Sequence, residues 1–311
     1  MMNTSPETET PPPSRAGIVA VVGSTNVGKS TLINAMVGEK VTIVSPVAQT
    51  TRNVIRAILT EPRGQLVFMD TPGVHKAKYE LGKTMNRMAR GTADGVDVVL
   101  LVLDASRPLR DEDEGWMRRL LRPELDSRLV VVLNKTDVAR DLAQTYRDRW
   151  AAVAQEKAVE REVAWLRVSG LTGAGVDRLT AELFAIVPSG PYLFPEDILT
   201  DYPRKLNISD VIREKYAYRL KEELPHAIAV WIEEIEEGDK RWTARGTIYV
   251  DRHSQKGIVL GAKGRLLKTV VQEAEKELAE MYGHPVKLKL WVKEEKNWTR
   301  NFWMLKKLGY V

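Results

Sequence analysis

Two rhythms of apolar and polar positions divide the chain. Between residues 16 and 187, short apolar runs recur near 18–22, 65–69, 98–103, 129–133 and 164–168, each followed by a turn-rich stretch and a helical pattern. Ile18-Val19-Ala20-Val21-Val22 and Leu129-Val130-Val131-Val132-Leu133 are apolar at every position rather than at alternate ones. A strand with one wet face alternates, whereas a strand covered on both faces does not. These runs therefore predict an α/β domain over 16–187, a mostly parallel sheet with helices on either side. Prolines 188, 191 and 195 and Gly190 then mark a linker, set at 188–204. The second rhythm fills 205–311. A helix is expected over Ser209–Glu223, with Ser209 as N-cap and Pro225 just past its end. Strands follow at Ala227–Ile232 and Thr247–Asp251, a helix at Arg265–Tyr282 and a last strand at Val286–Val292. Residues 1–15 form an extension whose Thr, Glu and Pro content buries no core, and disorder is expected there.

The turns after the apolar runs carry the chemistry. Gly23-Ser24-Thr25-Asn26-Val27-Gly28-Lys29-Ser30, with Thr31 beside it, fits G-x-x-x-x-G-K-S/T between a strand and a helix starting near Ser30. Backbone N–H groups of such a loop and the helix N-terminus cradle phosphate oxygens. Lys29 is expected to reach the β- and γ-phosphates, and the Ser30 hydroxyl to ligate Mg2+. Asp70-Thr71-Pro72-Gly73 fits D-x-x-G, with Asp70 holding Mg2+ through water and the Gly73 N–H sensing the γ-phosphate. Of the pair Thr50-Thr51, Thr51 is taken as the hydroxyl that senses Mg2+ and the γ-phosphate, with Thr50 as the alternative. Lys29, Thr51, Asp70 and Gly73 thus form the expected hydrolytic set.

Asn134-Lys135-Thr136-Asp137 fits N-K-x-D. A carboxylate at Asp137 accepts from guanine N1–H and its 2-amino group; adenine offers neither donor and would leave a buried carboxylate unpaired. Asn134 is assigned to the O6/N7 edge and the Lys135 stem to the face of the base. Ser169-Gly170-Leu171 supplies backbone N–H groups to the base, a weaker pattern than the other three. The residue after Gly73 is Val74, where many GTP switches place a glutamine that orients water. Valine has no polar group, so slow intrinsic hydrolysis is expected.

In the second domain, Gly261-Ala262-Lys263-Gly264 is a G-x-x-G loop. The order helix, strand, strand, helix, helix, strand, with this loop between the middle helices, is that of a type II KH domain, an α+β fold. Such a loop lets backbone approach about four single-stranded nucleotides. Lys256, Lys263, Arg265 and Lys268 around the loop, and Lys306 and Lys307 in the tail, are the candidate RNA contacts. The tail from Trp291 to Lys307 mixes aromatics, which can stack unpaired bases, with lysines, which can meet phosphate; a final helix docking its aromatic side on the domain is the preferred alternative.

Charge sharpens the division. Residues 205–311 hold 21 Lys and Arg against 16 Asp and Glu, while residues 1–204 hold 26 of each, so the net +5 belongs to the second half. Asp111-Glu112-Asp113-Glu114 reads as the acidic first turn of a helix, stabilised by its dipole. Zero cysteines exclude disulfides and suit a reducing cytosol, and the four scattered histidines give no metal cluster. No signal-peptide pattern and no run of 18 apolar residues is present.

The combination resembles the Era family of bacterial ribosome-assembly GTPases over about residues 16–311. Its carriers are the asparagine-containing phosphate loop, Gln49-Thr50-Thr51-Arg52, Asp70–His75, Asn134–Asp137, Ile212-Arg213-Glu214-Lys215, Ser254-Gln255-Lys256 and Leu308-Gly309-Tyr310. Gly170, in place of the usual alanine, and the N-terminal extension depart from the pattern. The resemblance implies a GTPase whose asparagine, Asn26, coordinates K+. It also implies binding to the 3′ end of 16S ribosomal RNA, action in 30S maturation and peripheral association with the inner membrane of an otherwise cytoplasmic monomer. It leaves three competing readings: a GTPase acting on large-subunit or transfer RNA, a binding module with a vestigial GTPase, and an ATPase or kinase.

Overall fold

The computed structural model describes residues 14–45, 47, 50–77 and 79–310. Residues 1–13 and Gln49, for which disorder and a family motif were expected, lie outside them. The expected extension nevertheless ends too late. Ser14 Oγ donates to Gly190 O at 2.9 Å, and Arg15 already opens the first strand.

The first domain runs β1 (Arg15–Val22), α1 (Lys29–Val37), β2 (Ile55–Glu61), β3 (Gly64–Asp70), α2 (Glu80–Gly91), β4 (Val98–Asp104), α3 (Asp111–Leu120), β5 (Arg128–Asn134), α4 (Ala143–Lys157), β6 (Ala164–Arg167) and α5 (Val176–Ile186). Its sheet has the order β2-β3-β1-β4-β5-β6 and is parallel except for β2. The sheet is buried on both faces, as the continuous apolar runs require. Val19 and Val21 face α1 and α5, while Ala20 and Val22 face α2, α3 and α4. Strand β2 is an addition to the five expected strands. It pairs antiparallel with β3 through a tight turn ending at Gly64, where a Cβ would sit 2.0 Å from Arg15 O.

The segment after α5 does not hang free. Tyr192 Oη donates to Glu61 O (3.0 Å), Leu193 N and Phe194 N donate to Gln65 Oε1, and Ile58 N donates to Leu199 O (2.9 Å), so the chain is strapped along β2.

The second domain runs α6 (Arg204–Ala217), α7 (Leu224–Ala227), β7 (Ile228–Glu237), β8 (Trp242–Val250), α8 (His253–Leu260), α9 (Arg265–Tyr282), β9 (Val286–Glu294) and α10 (Phe302–Lys307). Its sheet is β7-β8-β9, and α6, α8 and α9 bury one face of it. Helix α6 starts five residues before the expected N-cap. Pro203 opens it, and Ser209 instead donates from inside the helix to Lys205 O (2.8 Å). The tail also differs from expectation. Trp298 and Tyr310 dock on the domain, but the aromatics of α10 itself, Phe302 and Trp303, face outward.

Candidate functional site

The phosphate loop is built by close approach. At Gly23 (φ 150) a Cβ would lie 2.4 Å from Val102 O, and at Gly28 (φ 93) 2.4 Å from Asn134 Nδ2. Only glycine lets β4 and the N-K-x-D turn press against the loop. The other side of the loop rests on Gly73, where a Cβ would meet Thr25 Cα at 2.7 Å, and Val74 N donates to Gly23 O (3.4 Å). The D-x-x-G segment, with buried Pro72 and with Thr71 donating to Val21 O (2.8 Å), is thereby seated on the loop.

Lys29 is buried, and its Nζ donates to Gly23 O (3.2 Å) and Ser24 O (3.0 Å). Burial pushes its pKa down to about 8, against the pull of Asp70 and Asp113. Ser30 Oγ donates to Asp70 Oδ2 (2.7 Å) and lies 3.2 Å from Thr51 Oγ1. Thr50 turns away, its hydroxyl donating to Val47 O (2.7 Å), so Thr51 is the threonine that the structure brings to Ser30 and Asp70. Asp70 is fully buried, which pushes its pKa up to about 6 despite Ser30 and Lys29, and its Oδ1 has no hydrogen-bond partner. Three hard oxygen donors with one orphaned carboxylate oxygen fit a small divalent cation such as Mg2+. Thr25, Asn26, Lys29, Ser30, Thr31 and Thr51 are among the residues that line a narrow pocket of about 70 Å3 beside them.

Asn134 bridges two loops. Its Nδ2 donates to Val27 O (2.8 Å), and its Oδ1 accepts from Gly170 N (3.0 Å). The side chain assigned to the base edge is thus engaged in holding the phosphate loop to the 169–171 turn. Lys135 (φ 64) donates to Asn26 O and to Asp104 Oδ2, both at 2.7 Å, so its stem lies beside the loop as a wall. Asp137 accepts from Ser169 Oγ (2.5 Å) but is exposed rather than buried. Its selectivity therefore requires a base lying over it. Leu171 is exposed, and Gly170 lies so close to α1 that a Cβ would be 3.1 Å from Leu32 Cα. Val74 is buried and apolar, with nothing to offer a water.

Two groups of functional residues escaped the sequence reading. Asp113, read as one charge of a helical first turn, is buried, caps α3 by accepting from Arg110 N (3.0 Å), and accepts from Ser24 Oγ (2.6 Å) and Arg107 (2.9 Å). It buttresses the phosphate loop. The second group joins the domains. The Arg52 guanidinium donates to Ile228 O (3.0 Å), His226 O (3.3 Å) and Tyr310 Oη (3.3 Å), and lies over the rings of Trp298 and Tyr310. Burial pushes its pKa down to about 10. Arg213 pairs with buried Asp210 (2.5 Å) and donates to Thr50 O (2.7 Å), next to Thr51. Glu214 accepts from Val44 N (2.8 Å) and Lys40 (2.7 Å). Ile43 lies in the core of the second domain, and Leu81 and Met85 of α2 pack with Tyr249, Trp298 and Leu305. The advance signals were the motifs Gln49-Thr50-Thr51-Arg52, Ile212-Arg213-Glu214-Lys215 and Leu308-Gly309-Tyr310; pairing them with residues more than 160 positions away needs the fold.

In the second domain, Gly261 (φ 71) and Gly264 (φ 75) flank Lys263 (φ 51), and a Cβ on Gly261 would meet Leu266 Cβ at 2.7 Å. Ala262, Lys263, Arg265 and Lys268 are exposed around this turn, with Lys256 half-buried on α8. Lys306 and Lys307 are exposed but lie on α10, on the other side of the sheet from α8 and α9. The structure thus divides the candidate RNA contacts between two faces.

Comparison with known proteins agrees with this architecture. Residues 18–135 match a family model described as 50S ribosome-binding GTPase, and residues 223–299 a KH domain model. The chain is 38% identical over 301 residues to GTPase Era of Carboxydothermus hydrogenoformans, covering 96% of this chain and 98% of that one. It is 39% identical to GTPase Era of Caldanaerobacter subterraneus subsp. tengcongensis, with the same coverage. Among solved structures, an Aquifex aeolicus Era variant bound to GDP and AlF4− superposes with a TM-score of 0.86 at 36% identity, covering 96% of this chain and 99% of that one. Era in complex with MgGDPNP and nucleotides 1506–1542 of 16S ribosomal RNA superposes with a TM-score of 0.87, at the same identity and coverage.

Proposed function

The chain belongs to the GTPase Era family, and from that premise we propose that it is a GTP-hydrolysing switch that binds the 3′ region of 16S ribosomal RNA and acts in maturation of the 30S subunit. The observation that carries the coupling is the position of Arg213. It grips the Thr50 carbonyl from the KH domain, while Thr51, the next residue, reaches Ser30 and Asp70. A change in what Thr51 ligates is thereby felt in the KH domain.

In this reading the N–H groups of 24–30 and Lys29 bind the phosphates, and Asp137 and Ser169 select guanine. Ser30, Thr51 and Asp70 would hold Mg2+, which when bound neutralises charge on the β- and γ-phosphates. Thr51 and the Gly73 N–H report the γ-phosphate. Val74 orients no water, so unaided turnover is slow. Asn26, which lines the pocket, is the residue through which K+ would raise it. GTP orders 43–54 and 71–90, the KH domain follows through Arg52, Arg213 and Glu214, and RNA binds at the G-x-x-G loop; hydrolysis releases both. The relative's complex with 16S RNA supports this target over the large-subunit target in the description of the first domain's family model. We place the protein in the cytoplasm as a monomer, with peripheral contact to the membrane; among the described residues no helix is long and apolar enough to cross one.

The test is GTP turnover in KCl and in NaCl, each with and without RNA copying the 3′ end of 16S ribosomal RNA. Turnover that rises with K+ and again with this RNA, but not with a scrambled or large-subunit strand, is the expected result. Failure to turn over GTP in every condition would leave only a nucleotide-dependent binding module.

A further inference from the structure

The helix after the D-x-x-G turn keeps one side in water. Helix α2 lays Leu81 and Met85 against Tyr249, Trp298 and Leu305 of the second domain. Lys83, Arg87 and Arg90, spaced i, i+4 and i+7, share its opposite side over about 10 Å, and all three are exposed. Arg87 and Arg90 have no side-chain hydrogen bond or ion pair among the described residues, and Lys83 meets only Glu80, at 3.5 Å. Two hollows of about 450 and 430 Å3 lie between α2 and α3, and Arg90 and Arg119 line both. The first holds Lys83, Asn86 and Arg87 and is lined by no acid. The second reaches back to Val74, His75 and Lys76 on one wall and to Asp111 and Glu112 on the other. Neither acid has an ion pair among the described residues. Arg119 pairs with Asp94 (3.2 Å), but its Nε is buried without a partner. Trp116 also lines the second hollow; it is 2% exposed, and its indole Nε1 has no partner either. A buried N–H left unpaired is costly, and an acceptor drawn into the groove would relieve it.

We propose that this groove docks an acidic segment of a partner protein. Its carboxylates meet Arg87 and Arg90, a basic side chain meets Asp111 and Glu112, and an acceptor reaches the Trp116 N–H. The order of charges selects a protein over a nucleic acid. A phosphate backbone is anionic throughout and would run onto Asp111 and Glu112. Trp116 is also too deeply buried to serve as a platform for a stacked base. Position makes the docking depend on nucleotide. The wall Val74–Lys76 follows directly on Gly73, the γ-phosphate reporter. His75 Nδ1 donates to Gly73 O (3.2 Å), His75 N donates to Asn86 Oδ1 (3.2 Å), and Asn86 Nδ2 donates back to His75 O (2.7 Å). A shift at Gly73 therefore moves both the wall and α2. That dependence rests on the switch reading above, whereas the charge order of the groove does not. The second domain packs on the far side of α2, so a docked segment and RNA at the G-x-x-G loop can be held together.

The probe is a displayed library of random peptides about four helical turns long. It is selected on the full chain loaded with a non-hydrolysable GTP analogue and counter-selected on the Arg87→Glu, Arg90→Glu variant. Enriched peptides are expected to be net acidic, with a basic residue toward one end. They are expected to bind at least about tenfold more weakly to the Arg87→Ala, Arg90→Ala variant and at least about fivefold more weakly to the GDP form. With indole nitrogens labelled, the Trp116 Nε1–H resonance, assigned through Trp116→Phe, is expected to move downfield on binding. Both arginines are exposed and unpaired, so the double variants are expected to unfold at the wild-type temperature, which controls for folding. No enrichment, enriched peptides without net negative charge, or equal affinity for the two nucleotide forms would overturn the proposal. So would an RNA copying nucleotides 1506–1542 that loses affinity in the Arg87→Ala, Arg90→Ala variant while no peptide does, which would reassign the groove to nucleic acid. GTP turnover and RNA binding of the wild type are measured alongside. Their failure strikes the switch reading, whereas their presence without a bound peptide strikes only the groove.

Discussion

Asp137 carries the choice of base with one carboxylate. It is exposed and held by Ser169, so its discrimination depends on the partner it meets rather than on a prebuilt pocket. Asp137→Asn replaces an acceptor with a group that also donates. GDP affinity is expected to fall about 100-fold, as for an unpaired polar contact, and xanthosine diphosphate, with an oxygen in place of the 2-amino group, is expected to regain most of it. Titration calorimetry with both nucleotides checks this, and equal losses for both would remove Asp137 from base selection. At this scale the sequence was most legible. Motifs fixed by covalent spacing identified Lys29, Ser30 and Asp70, and the structure brings Ser30 and Asp70 into contact. Choosing Thr51 over Thr50 needed the backbone, because adjacent threonines differ only in which way the chain turns them. Asp113 was illegible because the same side chain in the same helical turn could face water or the loop.

The elements pass these local positions on. Arg213 and Asp210 form a buried pair between α6 and the Thr50 carbonyl. Arg213→Ala leaves buried Asp210 with the hydrogen bond from Tyr202 Oη (3.0 Å) but without its ion-pair partner, and is expected to cost about 3–5 kcal/mol, whereas the double variant with Asp210→Ala costs less because no lone charge remains. Denaturant unfolding of both variants decides it, and equal costs would contradict the pairing. A second joint is electrostatic and acid-labile. Glu114 on α3 accepts from Arg118 (2.7 Å) and from Arg149 of α4 (2.6 Å), and these hydrogen bonds hold its pKa down to about 2. A depressed carboxylate stabilises the fold fully above its ordinary pKa near 4.5, and that contribution is lost as pH falls toward 2. With the two arginines partly exposed, the contribution is discounted to about 1 kcal/mol. Glu114→Gln is therefore expected to be less stable than wild type at pH 7 and equal to it near pH 2, and a constant difference across that range would refute the joint. Sequence patterning located the parallel strands from their two-sided burial. It missed β2, whose Arg56, Thr60 and Glu61 break the apolar run at the sheet edge, and it began α6 late because Ser209 looked like a cap.

At the scale of the molecule, each of the two segments expected to change with nucleotide places residues in the packing of the second domain. Ile43 sits in its core, and Leu81 and Met85 pack against its C-terminal residues. The two-domain plan was legible because each half carries its own motif and rhythm. The joint between them was not, since Arg52, Asp210 and Arg213 are ordinary polar residues until the fold buries them together. Coupling through such a joint must be reciprocal in binding free energy. The direct measurement is the affinity of RNA copying the 3′ end of 16S ribosomal RNA in the presence of a non-hydrolysable GTP analogue and of GDP, with the reverse titration of each nucleotide at saturating RNA. The account predicts RNA binding at least about fivefold tighter with the GTP analogue, and the same factor in the reverse titration. Equal RNA affinities in the two nucleotide states would contradict it.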